Sequence, residues 1–419
     1  MINIIGLGAG DLSTLSEEAR DRIRNCGLII GSKRQRELVA ELIIKDTLLL
    51  DYPSPISQLK ALLENHNGKT ITILASGDPL YFGIGAWLSQ NIKPSRLHFF
   101  PNTSSIQIAF SRIKQPWQDV KVISLHGRPL ISIRPHLRNH RWYGIFTDEN
   151  SQPQHIAKEL LKQGFEQSKL WVCETLGMET EKIRHFSVDD LLSNTTTFQP
   201  LHITIVLTRA AGGILPEFPG IADELFETGD IAGRGLITKK QVRLAALTLL
   251  QTQANEVCWD VGAGCGGLSV EWAFWHPHND IYAIEDNKYR LEYLKMNQKK
   301  FGVVRNLHIF SGTAPYSVFD GVPAPDKVFI GGSGKGDALL HILNACWEGY
   351  LKPSGCIVVS CVTETSKYFV MKFIENHDLY EQVEKVEISS SIAVTLADKE
   401  LLRPQLPVQL IKITKKVVE

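Results

Sequence analysis

A chain of 419 residues has room for about two or three domains. With 43% hydrophobic and 21% charged residues, and 45 basic residues against 45 acidic, it has the composition of ordinary globular domains and no global field that would draw in nucleic acid or an anionic membrane. No apolar run approaches the roughly twenty residues that span a bilayer, and Met-Ile-Asn-Ile-Ile-Gly carries neither a charged leader region nor a cleavage site, so a cytoplasmic location is expected.

The chain opens on an apolar strand, Ile2 to Ile5, that runs into Gly6-Leu7-Gly8-Ala9-Gly10-Asp11. A helix follows from Ser16, with Glu17 and Glu18 in its first turn and Leu15, Ala19, Ile23 and Cys26 on its inner side. The loop lacks a glycine placed for helix packing, and no acidic residue ends the next strand, so a dinucleotide site is not indicated here. Thr70 to Leu74 is a buried strand that enters Ala75-Ser76-Gly77-Asp78-Pro79-Leu80-Tyr81-Phe82-Gly83-Ile84-Gly85. Open α/β sheets bind ligands at such strand ends. Pro79 holds Asp78 extended, so its carboxylate is expected to be presented to a ligand. Leu97 to Phe100 leads to Pro101-Asn102-Thr103-Ser104-Ser105, where Ser104 or Ser105 can cap the helix Ile106 to Arg112 or face a ligand. The strand from Val120 to Ser124 ends at Leu125-His126-Gly127-Arg128. Further strands are expected at 143–146, 170–173 and 203–207. The Gly- and Pro-rich residues 209–220 contain the linker, placed at 211–217.

Beyond the linker, Thr238-Lys239-Lys240-Gln241 has the spacing of a capping box, and Val242, Ala245, Ala246 and Leu249 form the apolar side of the helix it would start. The strand 257–261 then enters Gly262-Ala263-Gly264-Cys265-Gly266-Gly267, with a helix from Leu268 to Trp275 behind it. A glycine turn between strand and helix lets backbone approach a nucleotide-like ligand. About twenty residues on, the next strand ends in Glu285, whose carboxylate suits a ribose diol. Gly262, Gly264 and Gly267 also satisfy G-x-G-x-x-G, so this motif alone does not separate a dehydrogenase from a methyltransferase. Strands at 307–310 and 327–330 run into Ser311-Gly312-Thr313-Ala314-Pro315 and Gly331-Gly332-Ser333-Gly334-Lys335-Gly336. A fifth strand at 356–360, a helix from Ser366 to Glu375 and a β-rich tail complete the chain. The seven cysteines, Cys26, Cys173, Cys258, Cys265, Cys346, Cys356 and Cys361, are widely spaced without a C-x-x-C. They are expected to be reduced and buried, with no disulfide framework and no metal.

Taken together, Gly6 to Gly10, Ala75 to Gly85, Pro101 to Ser105 and Ser124 to Arg128 resemble the tetrapyrrole methylases of cobalamin biosynthesis that act at carbon 5 of a precorrin. Gly233-Arg234-Gly235-Leu236-Ile237-Thr238-Lys239, Trp259 to Gly264, Tyr282 to Glu285, Gly312 to Pro315 and Phe329 to Gly334 resemble the methyltransferases that methylate carbon 15 and remove the ring C acetate carboxyl group. In this order the halves resemble the family of decarboxylating precorrin-6Y C5,15-methyltransferases, over nearly the whole chain. Ala9 stands where that family usually has Pro, and Cys265 where Ser or Thr is common.

The resemblance implies an α/β protein: a class III tetrapyrrole-methylase domain at 1–210, a linker at 211–217, and a Rossmann-like class I S-adenosylmethionine (SAM) methyltransferase domain at 218–419. It implies two SAM sites. Ser76, Gly77, Asp78, Tyr81, Ser104 and Ser105 would form the first. Gly262, Ala263, Gly264, Cys265 and Gly266 would line the second, with Glu285 at the ribose, Ala314 beside the adenine and Thr238 near the methionine end. His126, Arg128, Arg234, Ser333 and Lys335 are candidates for the polycarboxylate substrate, precorrin-6Y or its cobalt form. No catalytic side chain is assigned, because an activated methyl sulfonium and an electron-rich macrocycle need mainly alignment. A homo-oligomer is implied as well. An NAD(P)-dependent oxidoreductase fits only the second glycine loop, and a SAM- or tetrapyrrole-binding scaffold with one inactive half is the non-enzymatic alternative.

Overall fold

The computed structural model describes residues 1–9, 12–193, 195–210, 215–229, 237–331, 337–396 and 399–416. The chain divides into two compact units, Met1–Leu130 with Arg138–Gly213, and Ile131–Leu137 with Ile214–Glu419.

The first unit holds two five-stranded sheets. In the first, β1 (Ile2–Gly6), β2 (Leu28–Ile30), β3 (Leu48–Leu50), β4 (Ile71–Ala75) and β5 (Leu97–Phe100) lie in the order β3-β2-β4-β1-β5, all parallel. Parallel strands covered on both faces read as unbroken apolar runs. β1, β2 and β4 are buried along their whole length. The helix Glu17–Arg24 packs on one face through Ala19 and Ile23, with Ser16 accepting from the Ala19 N–H at 3.2 Å. Leu15 and Cys26 join the same cluster, as the spacing predicts.

The second sheet runs β6-β7-β10-β8-β9, from β6 (Lys121–Ser124), β7 (Trp142–Phe146), β8 (Lys169–Glu174), β9 (Lys182–Ser187) and β10 (His202–Leu207). Only β6 and β7 pair in parallel; the other pairings are antiparallel.

The second unit is built on a seven-stranded sheet in the order β13-β12-β11-β14-β15-β19-β16. Its strands are β11 (Val257–Val261), β12 (Asp280–Glu285), β13 (Leu307–Ser311), β14 (Lys327–Ile330), β15 (Cys356–Cys361), β16 (Val383–Ile388) and β19 (Val408–Thr414). A separate hairpin joins β17 (Ser391–Leu396) to β18 (Lys399–Pro404). The strands from β13 to β15 are parallel, and β19 and β16 close the edge antiparallel. Trp259 and Val261 on β11 face the helices Ala338–Asn344 and Glu364–Asn376. Cys258 on the same strand faces the helices Lys240–Leu250 and Gly267–Trp275. In the strand order β11 lies inside the sheet between β12 and β14, and the direction of winding reverses between β11 and β14. All seven cysteines are free and buried.

The capping box expected at Thr238 does not form. The helix starts at Lys240, its N-cap is Lys239, and no side chain caps it. The Thr238 carbonyl instead accepts from Arg243 at 2.7 Å, which draws the segment before the helix into a buried network.

Candidate functional site

In the first unit the chain leaves β1 and β4 side by side, and the two glycine loops bridge each other. The Gly77 N–H donates to the Gly8 carbonyl at 2.9 Å, and the Gly8 N–H returns to Gly77 at 3.3 Å. Both glycines have positive φ, +63° and +62°. Gly6 is required by contact: a Cβ there would lie 2.5 Å from the Gly77 carbonyl oxygen and 2.9 Å from Pro79 Cδ. Asn102 pins the same loop, donating through Nδ2 to the Gly6 carbonyl at 2.9 Å and to Thr14 Oγ1 at 3.1 Å.

The structure brings Gly77 against the next loop: a Cβ on Gly77 would meet Ser104 Cα at 3.6 Å and Ser105 N at 3.9 Å. Ser104 is the N-cap of the helix Ser105–Arg112 and forms a full capping box with Gln107. That uses both its hydroxyl and its backbone N–H within the helix start, the N–H donating to Gln107 Oε1 at 2.8 Å. The Asp78 carboxylate makes two backbone contacts. Its Oδ1 accepts from the Leu80 N–H at 2.8 Å and its Oδ2 from the Asn102 N–H at 3.3 Å. The carboxylate therefore stitches two loops together, taking one N–H from its own turn and one from the loop after β5. The Ser76 hydroxyl accepts from Arg34 at 3.2 Å and from Gln35 at 3.0 Å. Tyr81 packs edge-on against Phe82 and Phe146. A cleft of about 590 Å³ opens beside Ala9 and Thr103, with Gln107, Gly177 and Met178 on its walls. None of Ser76, Gly77, Asp78, Tyr81, Ser104 or Ser105 lines it.

His126 is exposed beyond β6, while Arg128 is half-buried and donates to the Ser124 carbonyl at 2.9 Å. Arg234, Ser333 and Lys335 lie outside the described residues, as do Gly10 and Asp11 of the first loop and residues 211–214 of the linker.

In the second unit, Gly262, Gly264 and Gly266 all take positive φ, at +74°, +60° and +87°. The Gly262 and Ala263 N–H groups both donate to the Ile284 carbonyl, at 2.9 and 3.0 Å, which locks the turn to the end of β12. Glu285 is 3% exposed. One carboxylate oxygen accepts from the Gly264 N–H at 2.8 Å and the other from the Asn287 N–H at 2.9 Å, with Arg290 3.7 Å away. The residue expected to hold a ribose thus also holds the glycine turn, and each oxygen keeps a second lone pair for a diol. The Gly312 N–H donates to the Glu285 carbonyl at 3.0 Å, so the loop carrying Ala314 starts at the same strand end. Gly266 caps the helix Gly267–Trp275 without a side-chain hydrogen bond. Ile237 covers that helix start, since a Cβ on Gly267 would lie 2.4 Å from Ile237 Cγ1. Thr238 follows directly. The turn and Glu285 are thus joined directly, Ala314 lies on the loop that starts beside Glu285, and Thr238 is next in the chain to the residue that covers the helix start.

Three supports were missed by reading the sequence. Asn297, fully buried, donates to the Cys265 carbonyl at 2.8 Å and to the Glu227 carbonyl at 2.9 Å. Arg243 and Glu271, each fully buried, pair at 2.9 Å, and Arg243 also reaches Asp223 at 2.5 Å. Glu271 has a signal in the sequence: it is the one charge in the mostly apolar helix Gly267–Trp275. Asn297 has none.

Asp260, the penultimate residue of β11, is 1% exposed and accepts from the Ser269 hydroxyl. Burial pushes its carboxyl up to about 7, with the Ser269 donors opposing and the Glu285 charge adding to the rise. The unfolded value is about 3.9. Between those values the folded state keeps a proton that the unfolded chain releases. Stability of this unit therefore falls as pH rises through that window, by about 4 kcal/mol in total. Asp260→Asn is expected to flatten this slope and to stabilise the unit at pH 8, measured by urea unfolding across the window. An unchanged slope in the variant would sink the assignment.

A family model described as tetrapyrrole (corrin/porphyrin) methylases matches residues 1–192, and one described as a precorrin methyltransferase domain matches residues 231–415. The chain is 33% identical over 364 residues to a precorrin-6Y C(5,15)-methyltransferase (decarboxylating) of Sinorhizobium sp, spanning 86% of this chain and 84% of that one. It is 30% identical over 370 residues to the protein of the same description from Mycobacterium tuberculosis, with 88% of each chain covered. A probable cobalt-precorrin-7 C(5)-methyltransferase of Methanocaldococcus jannaschii is 34% identical over 200 residues, 46% of this chain and 91% of that one.

Proposed function

This chain belongs to the family of decarboxylating precorrin-6Y C(5,15)-methyltransferases, and on that premise we propose that it methylates a precorrin at C5 and C15 and removes the ring C acetate carboxyl group, using one SAM site in each unit. It is a SAM-dependent C-methyltransferase of cobalamin biosynthesis. We assign C5 methylation to residues 1–210 and C15 methylation with decarboxylation to 218–419. The observation that carries the two-site reading is the recurrence of one arrangement: a tight glycine loop at the carboxyl end of a central parallel strand, once after β1 and β4 and once after β11.

The residues present fit SAM. In the second unit the donor and acceptor chemistry matches its parts: lone pairs of Glu285 for ribose hydroxyls, apolar Ala314 for the adenine, and the uncapped helix start beside Thr238 for the methionine carboxylate. In the first unit, Ser76, Gly77 and Ser105 are the proposed contacts at one loop pair, with Ser104 holding that loop through its capping box and Tyr81 as a wall. Asp78 acts there by fixing loop shape. SAM supplies the activated methyl group. The chain's own contribution is alignment of the macrocycle carbon and exclusion of water, which raises the rate without a dedicated general base. Arg128, Arg234, Ser333 and Lys335 are the proposed contacts for the carboxylates of precorrin-6Y or its cobalt form, through charge-assisted pairing, with His126 beside Arg128. A cytoplasmic homo-oligomer is part of the same reading.

Titration calorimetry of the intact chain tests it. Two SAM equivalents per chain and no NAD binding are expected. One equivalent would give the scaffold reading, with a single active half, and NAD binding alone would give the oxidoreductase.

A further inference from the structure

Phe82 sits in the left-handed region at φ +55°, where a bulky side chain is strained and glycine would fit freely. The loop around it is fixed. A Cβ on Gly83 or Gly85 would lie 2.8 or 2.4 Å from the Pro79 carbonyl oxygen, so the turn leaves no room for another path. The ring is only partly packed. The ring touches Tyr81 edge-on, centroids 5.1 Å apart, and Phe146 at 5.5 Å, yet the residue remains 51% exposed. Leu80 beside it is 53% exposed. An apolar ring is thus held out at the carboxyl edge of the first sheet, backed by two aromatics.

A cation lies at the same strand ends as the backing ring. Phe146 pairs in register with Ser124, its carbonyl accepts from Leu125 at 2.8 Å, and the Arg128 N–H donates to the Leu125 carbonyl at 2.9 Å. The guanidinium makes one bond, to the Ser124 carbonyl, and has no carboxylate partner among the described residues. A planar apolar face next to an unpaired cation suits a flat, conjugated ligand with acidic groups at its rim.

We propose that Phe82 positions the tetrapyrrole for C5 methylation by stacking its exposed ring on the macrocycle, while Arg128 pairs with a peripheral carboxylate. This rests on the function proposed above. The test uses the full chain, with SAM and the precorrin, and follows C5-methylated product by mass. Wild type must form that product; if it does not, the functional reading fails, and this inference with it. Given wild-type activity, Phe82→Leu and Phe82→Gly are expected to raise KM for the precorrin about tenfold, on the scale of lost aromatic stacking, with SAM affinity and kcat little changed. Phe82→Trp should stay within about threefold of wild type. Arg128→Gln should raise the same KM and weaken its dependence on salt. The Gly variant guards against misfolding, because glycine suits this backbone better than Phe. An unchanged precorrin KM in the Leu and Gly variants would overturn the proposal. So would a parallel loss of SAM affinity, which would assign the ring to the cofactor.

Discussion

Replacing Arg243 with methionine is expected to destabilise the second unit by about 3–5 kcal/mol, the usual effect of removing one partner of a buried ion pair. Arg243 is fully buried and its donors are spread over four acceptors: Glu271, Asp223, and the carbonyls of Thr238 and Ile221. Glu271 in turn accepts from the Gly220 N–H at 2.5 Å and the Ile221 N–H at 3.1 Å. The network therefore ties the segment at 220–223 and the carbonyl before the helix Lys240–Leu250 to the helix behind the glycine turn. Losing it leaves a buried carboxylate without its cation and releases Thr238 from its place. Denaturant unfolding should show the transition of this unit shifted while that of the first unit stays in place. Arg243→Met combined with Glu271→Leu should recover part of the loss, since two apolar side chains replace two charges. A single variant within about 1 kcal/mol of wild type would show the pair to be solvated in practice.

The contrast between this network and the glycine turns explains what the sequence could reveal. Strand runs such as Ile71–Ala75 and Val257–Val261 are legible because burial on both faces demands mostly apolar residues, broken only by Thr72 and Asp260, whatever their partners. The N-cap at Ser104 is legible because its partner, Gln107, lies three residues away. Asn297 is illegible for the opposite reason: it meets Cys265 across 32 residues, on a helix face whose periodicity marks it only as inward. Asp78 and Glu285 show a second limit. Both read as ligand carboxylates from their position at strand ends, and both spend acceptor capacity on backbone N–H groups that only the folded loops bring to them. Thr238 shows a third. Its local pattern promised a cap, but a buried arginine five residues on competes for the same segment and wins through several charge-assisted bonds at once. The edge strand β9 escaped notice because, lying at the margin of its sheet, it keeps half-exposed and exposed residues such as Lys182, Arg184 and His185.

Two glycine variants should separate the two cofactor sites. Gly6→Ala is expected to abolish SAM binding in the first unit, because the new methyl would press on the Gly77 carbonyl, a backbone atom that cannot rotate away, and on Pro79. The bridge between Gly8 and Gly77 would open, and the loop bearing Ser76 to Tyr81 would shift with it. Gly266→Ala should abolish binding in the second unit by a double penalty. Alanine is strained at φ +87°, by roughly 1–2 kcal/mol, and its Cβ would lie 2.2 Å from Leu294 Cδ1, a side chain with no exposed surface to move into. The Asn297 bond to Cys265 would be lost as the turn lifts. Calorimetry should therefore read two SAM equivalents for wild type, one for each variant and none for the pair. Each single variant should keep the methylation assigned to its intact half, C15 for Gly6→Ala and C5 for Gly266→Ala, provided the substrate is supplied at the stage that half accepts. If both variants still bound two equivalents, neither turn would be holding the cofactor. If Gly266→Ala alone removed all binding, the first unit would act on SAM only through the second, and the division of labour drawn from the two loops would fail.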